Sequence, residues 1–184
     1  MIGVFQAENI TGCFAMASEL GISKDTIIKA VAEFKGLKRR LEKRLDGKIT
    51  IFDDIAHSPE KAESILKTLR VIYHKKIITL FEPNTGGRQR GSIEKYNNAF
   101  KDSDLVIIPR LTKLKIADDG SEKPLEGNEL AEIIKKTQPN TIYIEDDEKL
   151  VKYLIDNTKE GDIIIFLGSH GFRGMIEETI KLLK

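Results

Sequence analysis

One short segment combines two carboxylates with an imidazole. It reads Asp53-Asp54-Ile55-Ala56-His57-Ser58-Pro59. Such a loop could hold a nucleotide ribose, a metal ion or a phosphate. The alternative is structural, since aspartate and serine favour turns and helix starts. Because His57 is not needed to build a turn, we favour a functional role.

A second segment, residues 81–91, combines three glycines with two arginines. Glycine lets the backbone approach a ligand closely, and the guanidinium groups of Arg88 and Arg90 can clamp a carboxylate or a phosphate. The alternative is a flexible surface loop with solvated arginines. This segment is therefore a candidate site for an anionic substrate.

Other polar segments carry weaker signals. Residues 168–174 contain three glycines but lack the G-x-G-x-x-G spacing, so we predict tight packing of the last helix there. Asp118-Asp119-Gly120 is predicted to be a surface turn. The sequence has no G-x-x-x-x-G-K-[ST] phosphate loop and no zinc, calcium or catalytic-triad spacing, and we predict no metal site in it.

The elements that must position these segments alternate along the chain. Short, mostly continuous apolar runs predict buried parallel strands at 49–52, 77–81, 105–108, 141–144 and 163–167. Helices are predicted at 59–73, 92–100, 126–136, 148–157 and 173–183. The pattern predicts an α/β fold, a Rossmann-like open, mostly parallel sheet with helices on both faces. In such sheets ligands bind beyond the carboxyl ends of the strands.

A helical segment precedes the sheet. One helix is predicted at 9–20, and a second begins after its cap Ser23 and ends at Gly36. Residues 37–46 form a charged connector that could be extended. The single Cys13 excludes an internal disulfide, and its apolar neighbours predict a packed thiol in a reducing cytoplasm.

Charge and hydropathy exclude several classes of partner. Thirty Lys and Arg residues against 29 Asp and Glu leave a net charge of +1, which gives no global field for nucleic acid or an acidic membrane. No apolar run approaches the roughly 20 residues that span a bilayer, and no signal peptide is visible. We therefore predict a cytoplasmic protein with no nucleic-acid or membrane partner.

Four segments, taken in chain order, resemble those of the Mur ligase family, which joins amino acids or peptides to a UDP-muramyl precursor with ATP. Gly3-Val4-Phe5-Gln6-Ala7-Glu8-Asn9 resembles the G-x-H-N-x-x-N segment of the central ATPase domain. Gly36-Leu37-Lys38-Arg39-Arg40-Leu41-Glu42 resembles the G-x-x-R-R-x-E junction into the C-terminal domain. Residues 53–59 resemble the D-D-x-A-H-x-P box.

The fourth segment narrows the resemblance to a branch. It begins Phe81-Glu82-Pro83 and continues with Arg88, Arg90, Tyr96, Ala99-Phe100 and Asp104. It is similar to the F-E-P…R-R…Y-x-x-A-F-x-x-[AS]-D pattern of murein peptide ligases, which attach a recycled tripeptide to UDP-N-acetylmuramate. The chain thus resembles most closely the branch of murein peptide ligases and UDP-N-acetylmuramate-alanine ligases.

The resemblance implies nucleotide-binding residues. Gln6 and Asn9 would approach the adenine, and Arg40 would reach the ATP phosphates when the domains close. A guanidinium suits that task because it stays charged and can bond two oxygens at once. Asp54 would meet the ribose or a bridging water.

The resemblance also implies residues on the acceptor side. His57 would lie near the reacting groups, and with Arg40 it forms the predicted catalytic pair. Asn84, Arg88 and Arg90 would hold the carboxylate of the incoming amino acid or peptide, and His57 would border the same substrate.

By the same resemblance, residues 1–36 are the last helices of a central ATPase domain and residues 37–184 are the C-terminal Rossmann-like domain. The full protein would be an ATP-dependent ligase that joins an amino acid or peptide to UDP-N-acetylmuramate in cell-wall peptidoglycan synthesis or recycling. The reaction would pass through an acyl phosphate to an amide. The chain alone would be inactive, because the missing N-terminal and central domains would bind the UDP group and most of the ATP and Mg2+.

Two other hypotheses stay open at this point. The chain could be a self-contained Rossmann-type module that holds a small anionic metabolite or nucleotide with Asp53, Asp54, His57 and Arg88. Tight binding of such a ligand without any upstream domain would favour it. A nonenzymatic interaction domain is also compatible with the balanced charge, but no motif supports it.

Overall fold

A computed structural model describes residues 3–113 and 122–184. Its centre is a six-stranded sheet with strand order β1-β2-β6-β3-β4-β5. The strands are β1 (Glu42–Asp46), β2 (Thr50–Asp54), β3 (Ile77–Glu82), β4 (Leu105–Pro109), β5 (Thr141–Ile144) and β6 (Ile163–Gly168). β1 is antiparallel to β2, and the other four pairings are parallel. The predicted α/β class is confirmed.

All five predicted strands are present, each within two residues of its expected ends. β2, β3, β4 and β6 are buried along their whole length, which explains why their hydrophobic runs are continuous. β1 was not predicted as a strand. It lies in the expected connector 37–46, and its Glu-Lys-Arg sequence suits an edge strand that must not pair with other chains.

In the described parts of the chain, six α-helices surround the sheet or precede it. They are α1 (Val4–Glu19), α2 (Lys24–Glu33), α3 (Pro59–Ile72), α4 (Gly127–Lys135), α5 (Asp147–Asn157) and α6 (Met175–Leu183). The hydroxyl of Ser23 accepts the amide of Thr26, so the predicted cap is confirmed, and the hydroxyl of Ser58 caps α3 in the same way by accepting the amide of Lys61.

Three helix predictions need correction. α1, predicted at 9–20, begins at Val4 and ends at Glu19. The helix expected at 92–100 is a 3-10 helix, Arg90–Tyr96, followed by turns in which Asn98 has a φ of 59°. A left-handed residue cannot continue an α-helix, so the segment breaks there. α2 ends at Glu33 rather than at Gly36, because Phe34 is already extended.

The sheet is covered on both faces, as predicted. Helices α3 and α4 pack on one face around Leu66, Phe81 and Leu130. Helices α5 and α6 pack on the other, around Leu154, Phe166 and Ile176. The turn predicted at Asp118–Gly120 lies outside the described residues.

The α1–α2 pair leaves much of its apolar surface open. Met16 and Leu20 are 69% and 79% exposed. Cys13 is exposed as well, so the prediction of a packed thiol is wrong. α1 is apolar on more than one side and α2 covers only part of it, which local sequence patterns do not reveal. Within 3–113 and 122–184, no helix is both long enough and apolar enough to cross a membrane.

Candidate functional site

The carboxyl ends of three neighbouring strands bring the predicted segments together. β6 lies between β2 and β3, with Leu167 opposite Asp54 and Gly168 opposite Glu82. The segments that follow these strands therefore leave the same edge of the sheet side by side. The loops after β2 and β3 also touch, because the amide of Asn84 donates to the carbonyl of His57 at 3.2 Å.

Asp54, the last residue of β2, is hydrogen-bonded to the segment that precedes β1. Its carboxylate is buried and accepts the amide of Leu41 at 2.6 Å and the amide of Ala56 at 2.7 Å. Burial raises the pKa of Asp54, while the two amides and the nearby charge of Arg40 act in the opposite direction. The carboxylate therefore holds the residue after Arg40 in place.

Arg40 is exposed and lines two adjoining clefts. One, of about 460 Å³, runs along residues 35–43 and reaches Gln6. The other, of about 200 Å³, includes Phe5, Asp54 and Lys61. None of the residues that the structure describes is hydrogen-bonded to the guanidinium of Arg40. Gln6 and Asp54, predicted from two other segments, thus line two clefts that both include Arg40.

The clefts beside Arg40 are rich in cations. Lys35, Lys38 and Lys43 line the larger cleft, and Lys61 lines the smaller one. An exposed arginine with lysines around it attracts phosphate oxygens, because ammonium and guanidinium groups donate several hydrogen bonds. Sequence inspection did not single out these lysines.

Gln6 also borders a third, apolar groove of about 670 Å³ between α1 and α2, together with Asn9 and Phe14. Gln6 and Asn9 lie on the same helix, so the two residues predicted near an adenine both face this groove. Apolar walls with two amide side chains can accept a flat heterocycle.

Among the residues that the structure describes, only one ring nitrogen of His57 has a hydrogen-bond partner. Its Nδ1 lies 2.7 Å from the carbonyl oxygen of Ile55. A carbonyl can only accept, so Nδ1 carries the hydrogen and Nε2 is the acceptor in the neutral ring. The side chain is half-buried. His57 can therefore orient a donor, such as an amine, at Nε2.

Asn84 and Gly87 shape the loop after β3. The Oδ1 of Asn84 accepts the amide of Gly87 at 3.0 Å, which leaves the NH2 group of Asn84 available to a ligand. A Cβ at Gly87 would lie 2.9 Å from the Cβ of Pro83 and 3.2 Å from the hydroxyl of Tyr96. The loop therefore requires glycine at this position.

The two predicted clamp arginines differ sharply. Arg88 is 2% exposed and donates to the carbonyls of Thr112 at 2.6 Å and Leu125 at 2.8 Å. Arg90 is exposed and forms an ion pair with Glu129 at 3.3 Å. The guanidinium of Arg88 thus fixes loops within the chain, while that of Arg90 can reach a substrate. A substrate role for either stays a prediction.

Asp53 is paired inside the chain. Its carboxylate lies 3.3 Å from Arg39 and 3.6 Å from Arg44. Burial raises the pKa of Asp53, and the two arginines counteract part of that effect. Sequence inspection treated Asp53 as a free carboxylate because the arginines that pair with it are 14 and 9 residues away.

A second charged group at the same edge was missed. The carboxylate of Glu82 is buried and accepts the hydroxyl of Thr112 at 2.7 Å and Nη1 of Arg173 at 3.3 Å. Arg173 also forms two hydrogen bonds with Asp147, at 2.8 and 3.0 Å, and these lower the pKa of Asp147. The tight packing predicted for 168–174 is present only at Gly168, where a Cβ would lie 3.0 Å from the ring of Phe172, whereas a Cβ at Gly171 or Gly174 would meet nothing within 4 Å.

Over the two described ranges, no three or more His, Cys, Asp or Glu side chains come together in a way that could hold a metal ion. The groups at this edge include cations, amides and the imidazoles of His57 and His170. These groups suit binding and orientation of a phosphorylated ligand and an amine.

Comparison with known proteins gives consistent results. The family described as Mur ligase, glutamate ligase domain, matches residues 39–170. The UDP-N-acetylmuramate–L-alanine ligase of Caldicellulosiruptor saccharolyticus is 33% identical over 183 residues, covering 98% of this chain and 38% of that protein. The chain thus spans well under half of the length of this curated relative.

Two solved structures share the fold. The UDP-N-acetylmuramate-alanine ligase of Thermotoga maritima superposes with a TM-score of 0.77 at 20% identity, covering 98% of this chain and 38% of that one. The MurF ligase of Thermotoga maritima, solved in complex with ADP, superposes with a TM-score of 0.66 at 22% identity, covering 96% of this chain and 37% of that one.

Proposed function

Because the chain belongs to the Mur ligase family, we propose that it is the part of an ATP-dependent ligase that closes over the nucleotide and holds the acceptor. The ligase joins an amino acid or peptide to UDP-N-acetylmuramate in cell-wall peptidoglycan synthesis or recycling. The observation that carries this proposal is the convergence of Gln6, Arg40 and Asp54 on adjoining clefts. Residues 1–36 are assigned to the central ATPase domain and 37–184 to the C-terminal domain.

The nucleotide side consists of four residues. Arg40 binds the phosphates of ATP, where a permanent charge and a planar pair of donors favour two oxygens at once. Gln6 and Asn9 approach the adenine from α1. Asp54 contacts the ribose or a bridging water and, through the amide of Leu41, keeps Arg40 directed into the clefts.

The acceptor side consists of residues after β2 and β3. His57 orients the attacking amine at Nε2, while Asn84 and Arg90 bind the carboxylate of the incoming amino acid or peptide. Arg88 supports them from inside, because it ties the loop after β3 to Thr112 and Leu125. Catalysis by this part is mainly positioning of an amine against an activated carboxyl group.

The whole reaction requires more than these residues. The carboxylate of UDP-N-acetylmuramate takes the terminal phosphoryl group of ATP to give an acyl phosphate and ADP, and the amine then displaces inorganic phosphate to form the amide. Mg2+ screens the phosphates when bound, and we assign its ligands to the central domain, because the described residues offer no fitting group. A reaction that consumes ATP is consistent with a cytoplasmic location.

The rival hypothesis of a self-contained module for anionic metabolites finds less support. It requires Asp53 and Arg88 as ligand-binding groups, but Asp53 is paired with two arginines and Arg88 is bonded to backbone carbonyls. Removing either from its partners would leave a buried charge.

The test uses the protein that carries this chain at its natural length. Phosphate release is measured with ATP, UDP-N-acetylmuramate and, in turn, L-alanine, other amino acids and a muropeptide-type tripeptide. Release that requires all three components and yields an amide supports the proposal. Tight binding of a small anion without amide formation under any of these conditions would favour the rival hypothesis instead.

A further inference from the structure

One guanidinium joins segments that are about 130 residues apart in the sequence. Nη1 of Arg39 donates to the carbonyl of Ser169 at 3.2 Å, and Nη2 donates to those of Gly168 at 2.6 Å and His170 at 2.9 Å. Nε faces the carboxylate of Asp53. All three nitrogens of the guanidinium are therefore engaged, and three consecutive carbonyls point at one side chain.

The backbone around Arg40 is held in an uncommon conformation. Arg39 and Leu41, its two neighbours, have φ values of 55° and 48°. Residues other than glycine rarely adopt this left-handed region, which costs roughly 1 kcal/mol each. Arg40 therefore lies between two strained residues. The direction of its side chain depends on the contacts that hold Arg39 and Leu41 in this conformation.

Several bonds hold this conformation. The amide of Arg39 donates to Glu42 at 2.8 Å, and its carbonyl accepts the amide of Ile55 at 3.0 Å. The amide of Leu41 donates to Asp54. Strained residues persist only where surrounding contacts over-determine them, as they do here.

The loop at the other end of the guanidinium lies at the centre of the site. Residues 168–170 are the last residue of β6 and the two that follow it, and the neighbouring strands β2 and β3 lead to His57 and Asn84 respectively. The loop thus emerges between the two segments that we assign to the acceptor. Its three carbonyls accept hydrogen bonds from Arg39.

We propose that Arg39 is a positioning residue that couples the nucleotide side, where Arg40 lies, to the acceptor side, where residues 168–170 emerge. The proposal rests on the proposed ligase function for the identity of the two sides. Movement of the junction when nucleotide binds at Arg40 is transmitted through the guanidinium of Arg39 to the three carbonyls. A lysine cannot replace it, because one ammonium cannot serve Asp53 and three divergent carbonyls.

The test compares three variants of the protein that carries this chain at its natural length. Arg39→Ala removes the link. Arg39→Lys keeps the positive charge beside Asp53 but removes the guanidinium nitrogens that donate to the three carbonyls. Arg44→Ala is the matched control, because Arg44 also pairs with Asp53 but is not bonded to residues 168–170. Hydrogen–deuterium exchange of residues 168–171 and the KM values for ATP and for the amine are measured.

The expected result is faster exchange at 168–171 in Arg39→Ala and Arg39→Lys but not in Arg44→Ala. Both KM values rise about fivefold in Arg39→Ala, with an intermediate effect in Arg39→Lys. If Arg39→Ala does not fold, Arg39→Lys provides the comparison.

The proposal would be overturned if exchange at 168–171 were unchanged. It would also be overturned if both KM values were unchanged and only the amount of active enzyme fell, since Arg39 would then be a merely structural residue. Absence of ligase activity in the unsubstituted protein would contradict the proposed function instead. The exchange measurement would still decide whether Arg39 links the two segments.

Discussion

The backbone amide of Leu41 donates a 2.6 Å hydrogen bond to the carboxylate of Asp54, which fixes the residue after Arg40 to the end of β2. The other oxygen of Asp54 accepts the amide of Ala56. A single carboxylate therefore determines both the exit of β2 and the direction of the segment that presents Arg40. Its substitution should affect stability and nucleotide binding together.

Asp54→Ala should lower the free energy of unfolding by about 2 kcal/mol, because two amides lose their acceptor and the chain loses a buried group. Asp54→Asn should lower the free energy of unfolding by about half as much, since the carbonyl oxygen of asparagine can still accept one of the two amides. Urea unfolding of both variants measures the difference. Equal stability of Asp54→Ala and the unsubstituted chain would show that the two hydrogen bonds do not hold the junction.

Gly87→Ala should destabilise the chain by about 1–3 kcal/mol, because the added methyl group would overlap Pro83 and press on Tyr96. Gly86→Ala is the matched control, since its nearest neighbour would be the Oδ1 of Asn84 at an ordinary 3.6 Å. Thermal unfolding compares the two. If both variants have the same Tm, the close approach at Gly87 does not constrain the loop after β3.

Arg88→Met and Arg90→Ala should separate a structural arginine from a binding one. Arg88→Met leaves the buried carbonyl of Leu125 and the partly buried carbonyl of Thr112 without this donor and should cost about 2–4 kcal/mol of stability. Arg90→Ala should change stability by less than about 0.5 kcal/mol, because its ion pair is exposed. In the natural-length ligase, Arg90→Ala should raise the KM for the amine substrate. If Arg90→Ala were the destabilised variant and Arg88→Met were not, Arg90 would be the structural arginine and this assignment would be wrong.

Asp147→Asn should change how stability depends on acid. The hydrogen bonds from Arg173 lower the pKa of Asp147 below its ordinary 3.8, so folding favours the ionised carboxylate. The resulting stabilisation is present above pH 3.8 and is lost as the pH falls below it towards the lowered pKa. The stability gap between the unsubstituted chain and Asp147→Asn should therefore narrow from pH 6 to pH 3, starting from about 1 kcal/mol.

Asp156→Asn, an exposed aspartate on the same helix, is the control for this measurement. Parallel stability curves for the unsubstituted chain and Asp147→Asn over this pH range would show that the Arg173 contact does not contribute.

Much of the sheet could be predicted because buried parallel strands have continuous apolar sequences, as in Ile163-Ile164-Ile165-Phe166-Leu167. β1 could not, because an edge strand is stabilised by pairing with β2 and its own sequence is charged. The 3-10 segment after β3 was expected to be α-helical, since its apolar spacing is similar and the left-handed Asn98 is visible only in the structure.

The site was predictable in outline but not in its internal pairings. The rule that ligands bind at carboxyl ends located Asp54, His57 and Asn84 at one edge of the sheet. Whether an arginine is free or occupied depends on partners far along the chain. Arg88 is bonded to Leu125, and Arg39 is bonded to His170. Local patterns contain no information about such contacts.

The most direct test of the account is the turnover of Arg40→Ala in the natural-length ligase. Arg40→Ala should lower kcat at least about 100-fold, because a cation that stabilises phosphoryl transfer typically contributes several kcal/mol. The isolated chain carrying the substitution should unfold in urea like the unsubstituted one, since the guanidinium of Arg40 has no partner among the described residues. Arg110→Ala is the control and should retain activity. Arg110 is an exposed arginine that directly follows β4 and pairs with Asp147. Unchanged turnover in Arg40→Ala would remove Arg40 from the phosphates and contradict the proposed arrangement of the site.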